Sequence, residues 1–208
     1  MRHPTVPGNA RQGGDESSLR TPSFTGKLSY FGFNSLLIEG SFYSGRTESS
    51  LYNGAMKSDA AAMATADSSS VGINMVGLNL TYNMNNFQFR GEAIYTELSN
   101  THAYNVFAGS DVGSAILGGY GEISYTQNLK KNGYLQFIPF ARYEYYDTHY
   151  AVHQAEVKNT SYAHEEITAG FGLKPAPGLI FKADYQLMRS LDKKRFTNIC
   201  NVGFGYWF

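Results

Sequence analysis

The amino-acid sequence predicts an all-β fold in which about nine antiparallel strands follow one another up and down. Three observations carry that expectation. Apolar and polar residues alternate with a period of two in stretch after stretch along the chain. The links between those stretches are long and short by turns. The chain also ends on an alternating strand, "NVGFGYWF", with Val202, Phe204, Tyr206 and Phe208 on one parity and Asn201, Gly203, Gly205 and Trp207 on the other.

Taken in order, strands are expected at residues 24–30, 36–44 and 71–82. In the third, "VGINMVGLNL" changes parity near Met75 and Val76, which predicts a β-bulge. "FQFRGEAIYTE" sets Phe87, Phe89, Gly91, Ala93 and Tyr95 against Gln88, Arg90, Glu92 and Thr96. A strand at residues 115–125 follows. "LQFIPFARYEYY" then sets Leu135, Phe137, Pro139, Ala141, Tyr143 and Tyr145 against Gln136, Arg142, Glu144 and Tyr146. Its Pro139 removes a ladder donor from what reads as a central strand. After a strand at residues 167–174, "LIFKADYQL" sets Leu179, Phe181, Ala183, Tyr185 and Leu187 against Lys182, Asp184 and Gln186. The last strand covers residues 199–208. No segment reads as a helix, and "DAAAMATADSSS" reads as a small-residue linker.

Working back from the carboxy-terminus, residues 189–195 form a moderate loop and "KPAPG" a tight turn. "DTHYAVHQAEVKNTSYAH" is long, "QNLKKNG" short, "LSNTHAYNVFAGSDVG" long, "NMNN" tight, "RTESSLYNGAMKSDAAAMATADSSS" longest and "GFN" tight. Short periplasmic turns and long extracellular loops belong to an up-and-down barrel across a bacterial outer membrane. Aromatic residues near strand ends, with small residues between them, fit two interfacial girdles around an apolar band. The final alternating residues, Val202, Phe204, Tyr206 and Phe208, fit a terminal signal presented to the barrel insertion machinery. Hydrocarbon demands closure, and single-chain bacterial barrels have an even strand count. Nine strands fall one short. The expectation is therefore a transmembrane β-barrel over residues 22–208, the carboxy-terminal part of a larger barrel, with residues 1–21 an extracellular loop or a disordered amino-terminal segment.

Composition narrows the function classes. Seventeen basic and seventeen acidic residues leave no net charge and no nucleic-acid footprint. Charged residues are only 16% of the chain while aromatics reach 15%, and mean hydropathy is −0.33. There is no apolar run long enough for a membrane-spanning helix. The single cysteine, Cys200, excludes a disulfide framework and a cysteine-based zinc site. Residues 1–20 lack the apolar core of a signal peptide.

With the apolar parity outward, the inward face carries Lys27, Arg90, Arg142, Lys174 and Lys182, and also Glu39, Glu92, Glu122, Glu144 and Asp184. Three strands repeat a basic–x–acidic pair: Arg90 with Glu92, Arg142 with Glu144, Lys182 with Asp184. Residues two apart on a strand share a face, so each pair points the same way. Gly170 and Gly172 on the neighbouring strand leave room for long side chains. Read functionally, these ten residues line a pore as a mixed-charge wall; read structurally, the charges merely neutralise one another.

Catalytic patterns are lacking, so no enzyme, no metal site and no cofactor is expected. His149 and His153 have ligand spacing only for a helix and fall in an expected loop. "HEE" at residues 164–166 marks a solvated rim, with no serine or carboxylate spaced to complete a triad. "NTS" at Asn159 matches a glycosylation acceptor that means little in a bacterial loop.

The segments "PSFTGKLSY", "FIPFARYEYYDTH", "EITAGFGLKPAPGLIFKADYQ" and "VGFGYWF" resemble the carboxy-terminal half of Gram-negative porin-like proteins related to the phosphate-selective porin O and P family. The last hairpin, a proline-containing turn, "FKADYQ" and an aromatic terminus, is the most specific part. The resemblance implies export, a large barrel and passive diffusion of ions and small hydrophilic solutes, with outer-membrane lipid as surroundings and several copies able to assemble. Without a cationic excess, phosphate selectivity is not implied for this chain. The alternative is a non-conducting outer-membrane barrel acting as adhesin, receptor or surface scaffold through its long loops.

Overall fold

The computed structural model describes residues 21–53, 55–130 and 135–207. The expectations for residues 1–20 and for Phe208 lie outside the described residues. The chain forms one antiparallel sheet: β1 (Phe24–Phe33), β2 (Leu36–Arg46), β3 (Gly72–Met84), β4 (Phe87–Ser99), β5 (Ala115–Tyr125), β6 (Gln127–Asn128), β7 (Gln136–Ala151), β8 (Ala163–Ala176), β9 (Leu179–Ser190) and β10 (Thr197–Tyr206). Each strand pairs with its sequence neighbours, except that two-residue β6 prolongs β5 along the same partner, β7. The architecture is all-β and up-and-down, as expected, with nine long strands.

The links alternate as the sequence indicates. Residues 34–35, 85–86 and 177–178 make tight turns, and Ser35, Asn85 and Gly178 take positive φ there. Gly178 is needed on two counts. Its φ is 83°, and a Cβ would approach the Trp207 carbonyl at 2.6 Å. At the opposite end of the sheet lie the long links, residues 47–71, 100–114, 152–162 and 191–196.

Pro139 finds its account in the ladder. Ser124 faces Phe140 and Gln127 faces Phe137, so Tyr125 and Thr126 are the positions opposite Pro139 and Ile138. That is where β5 gives way to β6. Pro139 has no N–H for this side, and Thr126 instead donates to the Asn86 carbonyl at 2.8 Å. Towards β8 the ladder stays continuous through Pro139 opposite Phe171.

Two expectations need correction. β3 keeps one register with β2 from Gly72 to Tyr82 and with β4 from Gly72 to Met84, so there is no bulge at Met75 and Val76. The parity change has another cause: near the loop end Asn74 turns outward, where it accepts a hydrogen bond from Ser44 at 2.8 Å. The long links also contain helix. α1 (Ala60–Ser68) starts at Asp59, whose carboxylate accepts from the Ala61 and Ala62 amides, and alanine-rich sequence then carries the turns. α2 (Thr101–Ala108) runs between two left-handed residues, Asn100 and Gly109.

The interior is unlike that of a globular protein. Among the described residues the buried hydrophobic side chains are Ala66, Val71, Ala115 and Ala163, all at the loop end, and the largest fully buried ones are His149, Asp147 and Ser70. The big apolar side chains stand outside. Leu28 is 77% exposed, Phe42 52%, Phe204 76% and Val202 88%.

Candidate functional site

The two faces of the sheet differ in chemistry as strand alternation requires. One face carries Leu78 and Leu80, Phe89, Ile123, Tyr143, Ile167, Phe181, Val202 and Phe204. Aromatic rings gather on it near the tight turns, where Phe87 lies 4.8 Å from Tyr125 and Phe137 lies 5.4 Å from Phe171. The other face is polar and concave. A cavity of about 570 Å³ is lined from β4 through β10, by Gln88, Arg90, Glu122, Arg142, Glu144, Glu166, Lys182, Asp184 and Asn201 among others. Neighbouring strands stand about 4.8 Å apart. One hollow shared by strands so far apart in the sheet means that the sheet curves around this face.

The strand register brings the expected charged residues together in an order that the sequence alone does not reveal. Glu39, Asn79, Glu92, Tyr120, Glu144 and Glu166 stand opposite one another in a single row across β2, β3, β4, β5, β7 and β8. The adjacent row towards the tight turns is Thr81, Arg90, Glu122, Arg142, Thr168 and Gln186. A carboxylate row thus runs beside an arginine-bearing one.

The pairing differs from the basic–x–acidic expectation. Arg90 reaches across to Glu122 on β5 rather than along its own strand to Glu92. Arg142 does pair with Glu144 on the same strand, and its guanidinium lies 3.9 Å above the Tyr120 ring. Lys27 pairs with Glu39, which also accepts from Ser29 at 2.9 Å. Asp184 takes its hydrogen bond from Asn201 at 2.8 Å rather than from Lys182. Lys174, at the turn end, lies 5.4 Å from the Trp207 ring. Lys27, Glu39 and Glu92 line a smaller hollow towards β1, Arg90, Glu122, Arg142, Glu144, Lys182 and Asp184 line the main one, and Lys174 lines neither.

Glu166 escaped the sequence reading. The expected strand began at Ile167, which left His164 to Glu166 on a rim. In the structure β8 begins at Ala163. Glu166 belongs to the polar face and accepts from Thr168 at 3.1 Å. The signal was present: His164, Glu166 and Thr168 continue the inward parity of Gly170 and Gly172. With Glu166 included, three basic side chains face four acidic ones around the main cavity.

At the far end the long links are tied into a continuous crown. Asn100 donates to the carbonyls of Asp67 and Ser70 at 2.9 and 2.8 Å, fastening residues 47–71 to α2. Asn105 donates to Glu156 at 3.0 Å, and the rings of His102 and His153 stack 4.5 Å apart, joining α2 to residues 152–162. Ser190 donates to the Ser161 carbonyl at 2.8 Å, adding the end of β9. His149 and His153 do not meet. His149 is on β7, against Asp111 and Tyr162. The Asn159 side chain is engaged too, capping the turn at Ser161.

Within the crown, Glu156 has its carboxyl held below the ordinary range, first by the Asn105 hydrogen bond and then by His102 beside it. No group of three or more metal-ligating side chains is found among the described residues.

No family model matches the chain, and no curated protein matches it, so the resemblance to the phosphate-selective porin O and P family rests on the quoted residues alone. Among solved structures, the chain is similar to the crystal structure of the beta domain of the Bordetella autotransporter Brka. The two are 14% identical with a TM-score of 0.36, over 90% of this chain and 73% of that one. At that level of likeness no functional property is carried across.

Proposed function

We propose that this chain forms part of the wall of a Gram-negative outer-membrane β-barrel whose polar face borders a path for passive diffusion of ions and small hydrophilic solutes. One observation carries the reading: the large apolar side chains are on the outside of the sheet, while charged residues line its concave side. In water such a surface would be far larger than the few hundred Å² that a soluble monomer exposes. Against lipid it is the favourable arrangement, and the ladder satisfies the backbone within the wall. β1 and β10, the outermost strands, run in the same sense. An odd number of added strands would therefore close the wall with antiparallel pairs throughout. The tight turns then face the periplasm and the crown the exterior.

Planar-bilayer recording tests the reading. The assembled protein should give steps of conductance. Replacing Arg90, Arg142 and Lys182 together by Ala should shift ion selectivity towards cations, because Glu122, Glu144 and Asp184 remain on the same wall. Exposed charges act over about 10 Å at 0.1 M salt, so the shift should be larger at low salt. Unchanged selectivity would remove these residues from the conducting path. Absence of conductance would favour the second reading, a non-conducting surface scaffold, to which the crown of tied loops gives its own support.

A further inference from the structure

We propose that His149 is an acid-sensitive fastener between two of the long links, residues 100–114 and 152–162, and that protonating its ring releases them. The inference rests on the fold and not on conduction. His149 is 1% exposed at the loop end of β7. Its Nε2 lies 2.8 Å from the Asp111 carbonyl, which can only accept, so Nε2 carries the hydrogen. Nδ1 is then free to accept the Asn159 amide hydrogen at 3.3 Å. One neutral ring thereby holds a backbone group from each link. The Tyr162 ring packs against it at 4.4 Å.

A second proton has only Nδ1 to go to. There it would point at the Asn159 N–H, two donors face to face in a buried site, and the bond would be lost. The charged groups around the ring decide whether anything offsets this. Asp111 brings its carboxylate within 3.4 Å of Nε2 and favours the cation, but it is 48% exposed and screened by water. Asp147, whose Oδ1 accepts the His149 amide at 2.8 Å, is already matched by Lys158 at 2.8 Å. Further along the same seam, His102 lies 3.4 Å from Glu156 and stacks on the His153 ring. None of these neighbours restores the lost Asn159 bond.

Hydrogen–deuterium exchange of the full chain folded in detergent micelles tests the fastener, with β8 amides as the internal reference. After correction for intrinsic exchange, protection of residues 109–114 and 155–162 should fall about tenfold or more between about pH 7.5 and pH 5.5. His149→Gln, which keeps a donor for the Asp111 carbonyl but does not titrate, should abolish most of that fall. The His102→Gln/His153→Gln double variant should keep it. Protection that is the same at both pH values, or a fall that persists in His149→Gln, overturns the proposal. If His149→Gln does not assemble, the wild type and the double variant decide, and loss of the response in the double variant is then the contradicting result.

Discussion

Glu144 and Glu166 stand directly opposite each other on β7 and β8, an arrangement that costs stability in a sheet. Arg142 relieves it from one side only, through Glu144. Glu166→Gln should therefore raise stability by about 0.2–1 kcal/mol in a urea titration, since Gln still accepts from Thr168. A fall would mean that Glu166 has a favourable partner. Glu156 gives a pH-dependent counterpart. Its folded carboxyl titrates below the ordinary value of 4.5, so its contribution is present above that pH and is lost as pH falls through the lowered value. The crown should loosen in that acid window, seen as faster exchange in α2, and Glu156→Gln should remove that component. At this scale the sequence was informative about face but not about partner. Arg90 sharing a face with Glu92 follows from parity; its choice of Glu122 follows from a register that only the paired strands define.

Among the elements, β8 and β9 meet closely at Gly170. A Cβ on Gly170 would run into the Ala183 carbonyl and the Asp184 side chain, whereas one on Gly203 would meet nothing within 4 Å. Gly170→Ala should cost about 1–3 kcal/mol, and Gly203→Ala should be close to neutral. Equal effects in denaturant titrations would contradict the packing described for this hairpin. Strand centres were legible because period-two alternation is dictated by the pleat, as in "FQFRGEAIYTE". Strand ends were not. β7 extends to Ala151 and β8 begins at Ala163, because outside the apolar band the outward residues become polar and the alternation fades. α1 is not legible from periodicity because it lacks an apolar stripe, although Asp59 and the alanines after it carry a helix start.

For the whole molecule, the long and short links indicated which end bears the turns and which the loops, and the structure keeps that division. The crown's cross-links were not legible, since they join residues such as Asn105 and Glu156 that no sequence period relates. In the proposed barrel the apolar face meets lipid. Cys200, the one cysteine, tests it without mutagenesis, because it is exposed and shares the outward parity of Val202, Phe204 and Tyr206 on β10. The full chain, labelled at Cys200 with a small fluorophore and reconstituted into vesicles, should be quenched by lipids brominated on their acyl chains and shielded from aqueous iodide. Quenching by iodide with no effect of the brominated lipids would place this face in water and contradict the account.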